Sequence, residues 1–170
     1  ECLNFVRPPN IVRFFEVEIN EVISVVMNII SNMLESESKK IRIVTDMDPH
    51  LPKVYANYEE IKQAFLNIVK NAFEAMPKGG EFTIKTCRKS DSTKSIEISF
   101  IDNGIGTKKE NLGMLFNPFF TTKLRGTGLG LAICRRIIVE RHLGKIYIES
   151  EDKKGTTVKV ELPIGRRLGD

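Results

Sequence analysis

No apolar run in the 170-residue sequence approaches the roughly 20 residues that cross a bilayer, and no signal peptide is visible. Cysteine is scarce. Cys2, Cys87 and Cys134 are odd in number and form no CxxC pair, which excludes a paired-cysteine zinc site and predicts reduced thiols in a cytosolic compartment. Net charge is only +4, and the basic residues form no stripe with aromatics between them. A nucleic-acid binder is therefore not expected; the charge reads as a solvated surface with a local place for polyanions. The phosphate loop GxxxxGK[ST] is missing: the one Gly-Lys pair, Gly144-Lys145, is followed by Ile146. The dinucleotide pattern GxGxxG is missing too, because the glycines at 126, 128 and 130 are spaced GxGxG. The chain opens Glu-Cys-Leu without a methionine, so a piece of a longer protein is expected.

What is present is an ordinary globular balance, 41% hydrophobic and 28% charged, in a chain long enough for one core. Arg7-Pro8-Pro9-Asn10 stops any helix arriving from upstream. Residues 11–19 are β-branched and aromatic and predict a strand. Asn20 is the expected cap of a helix running to about Ser36, with Val22, Val25, Val26, Ile29, Ile30 and Met33 on one face. Residues 40–46 alternate as a strand, and the proline-punctuated stretch 47–57 reads as a loop. The clearest element is a helix from Tyr58 to Met76, apolar at Ile61, Ala64, Phe65, Ile68, Val69, Ala72, Phe73 and Met76. Strands follow at 81–88 and 95–101 across a polar hairpin. Residues 102–126 lack periodicity and are too long for a plain connection, which predicts a mobile lid. A helix over 127–142 and strands at 145–150 and 156–162 complete the chain. The order predicts an α+β fold: a two-layer sandwich, a mixed sheet with helices on one face.

Three groups of residues carry chemistry. Gln63, Asn67, Lys70, Asn71 and Glu74 form the polar stripe of the 58–76 helix. Alone, it reads as a solvated face. Yet asparagine is a poor helix former, and Asn67 and Asn71, one turn apart, offer amide oxygens suited to Mg²⁺ with phosphates filling its other positions. Lys70 adds a point charge for phosphate.

The second group is "FIDNGIG" at 100–106. Asp-Asn-Gly by itself is a turn signal. But Asp102 ends a strand, and Gly104 and Gly106 are expected to leave the space beside its carboxylate open for a flat base. An exocyclic amine there would donate to Asp102, which favours adenine over guanine.

The third is "NPFFTTKLRGTGLGLAI" at 117–133. A flexible hinge is one reading. The coincidence of Thr121, Thr122, Lys123, Arg125 and three glycines before a helix favours another, a clamp for a nucleotide's phosphates.

In this order the three groups resemble the ATP-binding catalytic domain of sensor histidine kinases, in the superfamily shared with DNA gyrase, the ninety-kilodalton heat-shock chaperone and MutL. "QAFLNIVKNAFEAM" (63–76) resembles the N box and "DNGIG" (102–106) the first glycine box. "LFNPFFTTK" (115–123) resembles the F box, "GTGLGLAI" (126–133) the second glycine box, and "GTTVKVELP" (155–163) the closing strand. The match covers about residues 11–164, with 1–10 as the tail of an upstream phosphoacceptor hairpin and 165–170 as a C-terminal tail.

The resemblance implies a Bergerat-type fold that binds ATP. It implies Mg²⁺ on Asn71, assisted by Asn67, with Lys70 and Lys123 on phosphates. Asp102, with Gly104, Ile105 and Gly106 beside it, holds the adenine amine, and Thr156 assists through water. Gly126, Thr127, Gly128, Leu129, Gly130 and Leu131 wrap the triphosphate, with Thr121, Thr122 and Arg125 before them. Phe116, counted among the nucleotide contacts, seats the lid with Phe119 on the body or also on the neighbouring domain; a core-only role for these two stays open.

Two departures matter. Water-splitting relatives carry a glutamate where Gln63 stands, and an amide accepts no proton, so water activation is expected to be poor; Glu59 or Glu60 is the lesser candidate for a base. The family's acceptor, a histidine followed by an acid, is missing. His50 reads as a loop residue and His142 as a cation at a helix C-terminus, and both precede leucine.

The expected activity is transfer of the γ-phosphate of Mg-ATP to a histidine on a separate domain. The expected partners are that domain and a response regulator. The isolated domain is expected to be a monomer, and its parent a homodimer, membrane-anchored or not. A serine kinase of the anti-sigma kind and a non-catalytic ATP-gated module are the alternatives.

Overall fold

A computed structural model describes residues 13–34, 40–90, 94–120 and 130–165. The elements are β1 (Phe15–Val17), α1 (Ile19–Leu34), β2 (Ile41–Met47), β3 (Val54–Ala56), α2 (Tyr58–Glu74), β4 (Gly80–Arg88) and β5 (Ser95–Asp102). A 3-10 turn (Lys109–Met114), α3 (Gly130–Arg135), a π-helical turn continuing it (Arg136–Arg141), β6 (Lys145–Glu151) and β7 (Gly155–Pro163) follow. The main sheet has the order β2-β4-β5-β7-β6, and only β2-β4 is parallel. β1 and β3 form a separate antiparallel pair.

Alternation places Phe82, Ile84, Ile96, Ile98, Phe100, Val158, Val160 and Leu162 on one face of the sheet, all buried. α1, α2 and α3 cover that face, so the expected two-layer α+β sandwich is the fold. At its centre Phe65 meets Phe100 and Phe73 meets Phe82 edge-on, each at 5.2 Å between centroids. Each such pair adds about 0.5–1.5 kcal/mol beyond its burial. No helix among the described residues is long and apolar enough to cross a membrane.

Several expectations need correction. The stretch 47–57 is not all loop: Val54 and Ala56 are buried, and the short β3 pairs with β1. Asn20 does not cap α1, which starts at Ile19. Its amide donates to the Asp48 carbonyl at 2.7 Å and its oxygen accepts from Thr86 at 3.0 Å, pinning α1 to the sheet. The cap that matters is Asn57, whose Oδ1 accepts from the Glu60 N–H at 3.0 Å and starts α2. Such a cap contributes about 1 kcal/mol. The 102–126 stretch contains the 3-10 turn, and the last helix changes to π winding at Arg136.

Candidate functional site

Ser150, Thr156 and Asp102 face one another across β6, β7 and β5. The next row inward is Ile148, Val158, Phe100 and Ile84. A polar rim thus stands over an apolar floor.

Asp102 is the centre of the rim, only 6% exposed. One carboxylate oxygen accepts from the Gly104 N–H at 2.9 Å. Burial pushes its pKa above the ordinary carboxylate range, while N–H groups of Gly104 and Thr156 pull it part of the way back. Thr156 Oγ1 lies 2.8 Å from Ser150 Oγ.

The loop after Asp102 is wedged between α2 and the β6-β7 turn. Asn103 accepts from the Glu81 N–H at 2.8 Å. The Ile105 N–H donates to the Ala75 carbonyl at 2.9 Å, and the Ile105 carbonyl accepts from the Lys153 N–H at 2.7 Å. Here the glycine reading is corrected. A Cβ on Gly104 would stand 2.3 Å from the Ala75 oxygen, and one on Gly106, at φ +65, only 1.9 Å from the Glu151 oxygen. The missing side chains leave room for neighbouring backbone, not an open slot for a base. Ile105 is 57% exposed.

α2 and α3 run antiparallel beside this loop. A Cβ built on Gly130 would be 3.8 Å from Asn71 Nδ2 and 4.0 Å from Asn67 Cβ. Cys134 Sγ donates to the Ala64 carbonyl at 3.3 Å, and the Asn67 side chain bonds the same sulfur. Burial pushes the Cys134 pKa to about 12, so it is an inert thiol. Arg141 pairs with Glu60, and the Asn57 N–H donates to His142 Nε2 at 3.0 Å. The start of α3 is thereby held over Asn67 and Asn71. Lys70 is exposed on the same helix, and Asn71 lies one turn before Ala75, against which Gly104 packs.

His142 is not the expected cation. It is 3% exposed, and its Nε2 accepts an N–H and so carries no proton. The proton is on Nδ1, which donates to the Ile137 carbonyl at 2.8 Å. His50 is exposed in a turn. Gln63 is exposed, Glu59 pairs with Lys62 at 2.9 Å, and Glu60 is taken by Arg141. Phe116 is half-buried, but Phe119 is 75% exposed and does not seat on this body. Leu131 is half-buried at the start of α3. The expected phosphate contacts Thr121, Thr122, Lys123, Arg125, Gly126, Thr127, Gly128 and Leu129 lie outside the described residues, as do 1–10 and 166–170. Sequence reasoning missed Asn57, Ser150 and Cys134. Asn57 was signalled by an asparagine three residues before Glu60 at the head of an apolar-periodic run; Ser150 became visible only through its register with Thr156.

Among the described residues no group of three His, Cys, Asp or Glu could hold a metal. The amide oxygens of Asn67 and Asn71 are hard donors one turn apart, a donor type that fits Mg²⁺ taking its remaining positions from water and phosphates.

Residues 56–166 match the family of histidine kinase-, DNA gyrase B- and HSP90-like ATPases, and the chain belongs to that family. As a member, it binds ATP. Relatives of the chain include sporulation kinases and sensor histidine kinases. It is 39% identical over 130 residues to sporulation kinase E of Bacillus subtilis (strain 168), covering 76% of this chain and 17% of that protein. It is 32% identical over 164 residues to the sensor histidine kinase ZraS of Escherichia coli (strain K12), covering 96% of this chain and 34% of that protein. The chain therefore spans between 17% and 34% of the length of these relatives. Among solved structures, the nucleotide-free catalytic domain of histidine kinase ThkA superimposes with a TM-score of 0.76 at 34% identity, over 89% of this chain and 95% of that one. ThkA has also been solved in complex with response regulator protein TrrA, a match with a TM-score of 0.73 at 31% identity, over 89% of this chain and 42% of that one.

Proposed function

We propose that this chain is the catalytic unit of a two-component sensor kinase and presents the γ-phosphate of ATP to a histidine on a separate phosphoacceptor domain. The carrying observation is Asp102, a buried carboxylate whose burial is only partly offset by two backbone N–H groups and which sits beside an apolar row. A carboxylate kept there at a cost in solvation is suited to receive a ligand's N–H. The adenine amine supplies one. The γ-phosphate end then runs toward Asn67, Lys70 and Asn71 of α2, and Lys123, Arg125 and the glycines at 126, 128 and 130 are the residues proposed to bind the phosphates. Mg²⁺ held on Asn71, with Asn67 assisting, would neutralise phosphate charge. Positioning and charge neutralisation are the main contributions a protein makes to phosphoryl transfer.

Neither histidine of this chain is suited to accept the phosphate. His142 is buried with both ring nitrogens bonded, and His50 is a turn residue. This supports an acceptor elsewhere. In the longer protein, a homodimer, the phosphate would pass on to a response regulator, as the complex of ThkA suggests by analogy. Labelled ATP with a phosphoacceptor domain added in trans tests the reading. Acid-labile phosphohistidine supports it. Acid-stable phosphoserine would make the chain a serine kinase, and ATP binding without any transfer would make it an ATP-gated module.

A further inference from the structure

Ser150 Oγ has three polar neighbours. The Thr107 N–H donates to it at 2.9 Å, the Gly155 carbonyl lies at 3.0 Å, and Thr156 Oγ1 lies at 2.8 Å. A hydroxyl has one hydrogen and two lone pairs. The Gly155 carbonyl can only accept, so the Ser150 hydrogen points there. The Thr107 N–H takes one lone pair. The remaining lone pair faces Thr156, whose hydroxyl must therefore donate to Ser150. The three contacts use the capacity of Ser150 in full and leave a single consistent arrangement.

The consequence falls on Thr156. Its one hydrogen is committed to Ser150, so toward the rim it presents lone pairs only. Asp102, directly opposite on β5, is likewise an acceptor when ionised. From these contacts we infer that Ser150 is a positioning residue for base selection: it fixes the Thr156 hydroxyl as an acceptor, so that the rim takes a purine bearing an amine at position 6 and rejects one bearing a carbonyl there. The inference rests on the proposed ATP site and adds a residue that does not touch the base. A free Thr156 hydroxyl would turn and donate to a 6-oxo group; Ser150 prevents that turn. The same serine holds the Thr107 N–H, so the segment leaving the base site is tied to this arrangement.

The experiment is titration calorimetry of this chain with ATP and with inosine triphosphate, which differs at position 6 and lacks any other exocyclic group on the base. Ser150→Ala is expected to lower the ratio of ATP to inosine triphosphate affinity about three- to tenfold, the size of one net hydrogen bond. Ser150→Thr keeps the hydroxyl and is expected to hold the ratio near that of the wild type. In a Thr156→Val background the hydroxyl is gone, so Ser150→Ala should change the ratio no further. If Ser150→Ala does not fold, Ser150→Cys, which keeps the shape with a weak hydrogen-bonding group, carries the same expectation. A lower melting temperature with an unchanged ratio would overturn the inference and leave Ser150 a structural residue. A wild-type chain that binds ATP but not selectively overturns it as well, with the ATP site intact. A wild-type chain that binds neither nucleotide overturns the proposed function and the inference together.

Discussion

The Asn57 backbone N–H and the His142 ring are joined at 3.0 Å although 85 residues separate them in the chain. Asn57 caps α2, and His142 ends the π turn after α3. One imidazole therefore ties the start of the helix bearing the asparagines to the end of the helix lying over them. Phe14 tilts against the same ring at 4.9 Å between centroids. His142→Ala would leave the Asn57 N–H without its acceptor and open space beside Phe14. A loss of about 1–3 kcal/mol is expected, read from urea denaturation. An unchanged midpoint would mean that the bond contributes nothing.

Asp102→Asn is expected to weaken ATP about 10- to 100-fold, the range for a hydrogen bond to a charged group, by calorimetry. pH separates binding from stability. The folded state holds the Asp102 proton more tightly than the unfolded state, because burial raises its pKa. Its contribution to stability is therefore fully present below the unfolded pKa and is lost as pH rises through the raised folded one. The wild type should gain on Asp102→Asn in melting experiments as pH falls through that window. ATP affinity should move the opposite way, because a protonated Asp102 no longer offers a bare acceptor. A wild-type and mutant pair with parallel pH profiles would contradict both.

Gln63→Glu tests the missing base. Gln63 is exposed on α2 one turn before Asn67, and both neighbouring glutamates are paired, Glu59 with Lys62 and Glu60 with Arg141. The wild-type chain is expected to hydrolyse Mg-ATP slowly. The glutamate variant should raise that rate roughly tenfold or more, toward the range of general-base assistance. Fast hydrolysis in the wild type, insensitive to this position, would show that a base lies elsewhere.

Gly106→Ala meets two penalties, a left-handed backbone and the Glu151 carbonyl. A loss of about 1–3 kcal/mol is expected, or roughly 3–10 °C in Tm. Gly104→Ala has no positive φ but collides with the Ala75 carbonyl, so it should also destabilise. Tolerance of alanine at both positions would argue against the wedged loop.

Much of this was legible in the sequence because it depends on period and punctuation. The 3.6-residue spacing of Ile61, Phe65, Ile68, Val69, Ala72 and Phe73 gave α2 and its buried face, and alternation gave β4, β5 and β7. The short strand Val54–Ala56 was hidden because three residues carry no period and two nearby prolines read as loop. Asp102 was legible as an acid at a strand end because a single carboxylate closes an alternating run. The site was not legible where the task is shared across strands. Ser150 meets Thr156 only through strand register, and Gly104 is required only by the approach of Ala75. His142 misled for the same reason: a helix-end histidine suggests a cation until a distant N–H is found pointing at it.

The π turn at Arg136–Arg141 sets the phase between the two ends of the last helix. A wider turn absorbs one more residue than an α turn would. A one-residue deletion between Cys134 and His142 that left the wide turn in place would rotate one end against the other by about 100°. Either Cys134 would leave Asn67, or His142 would swing away from Asn57. A length change of one residue, with no loss of any named side chain, would thus uncouple the asparagine pair from the helix that covers it.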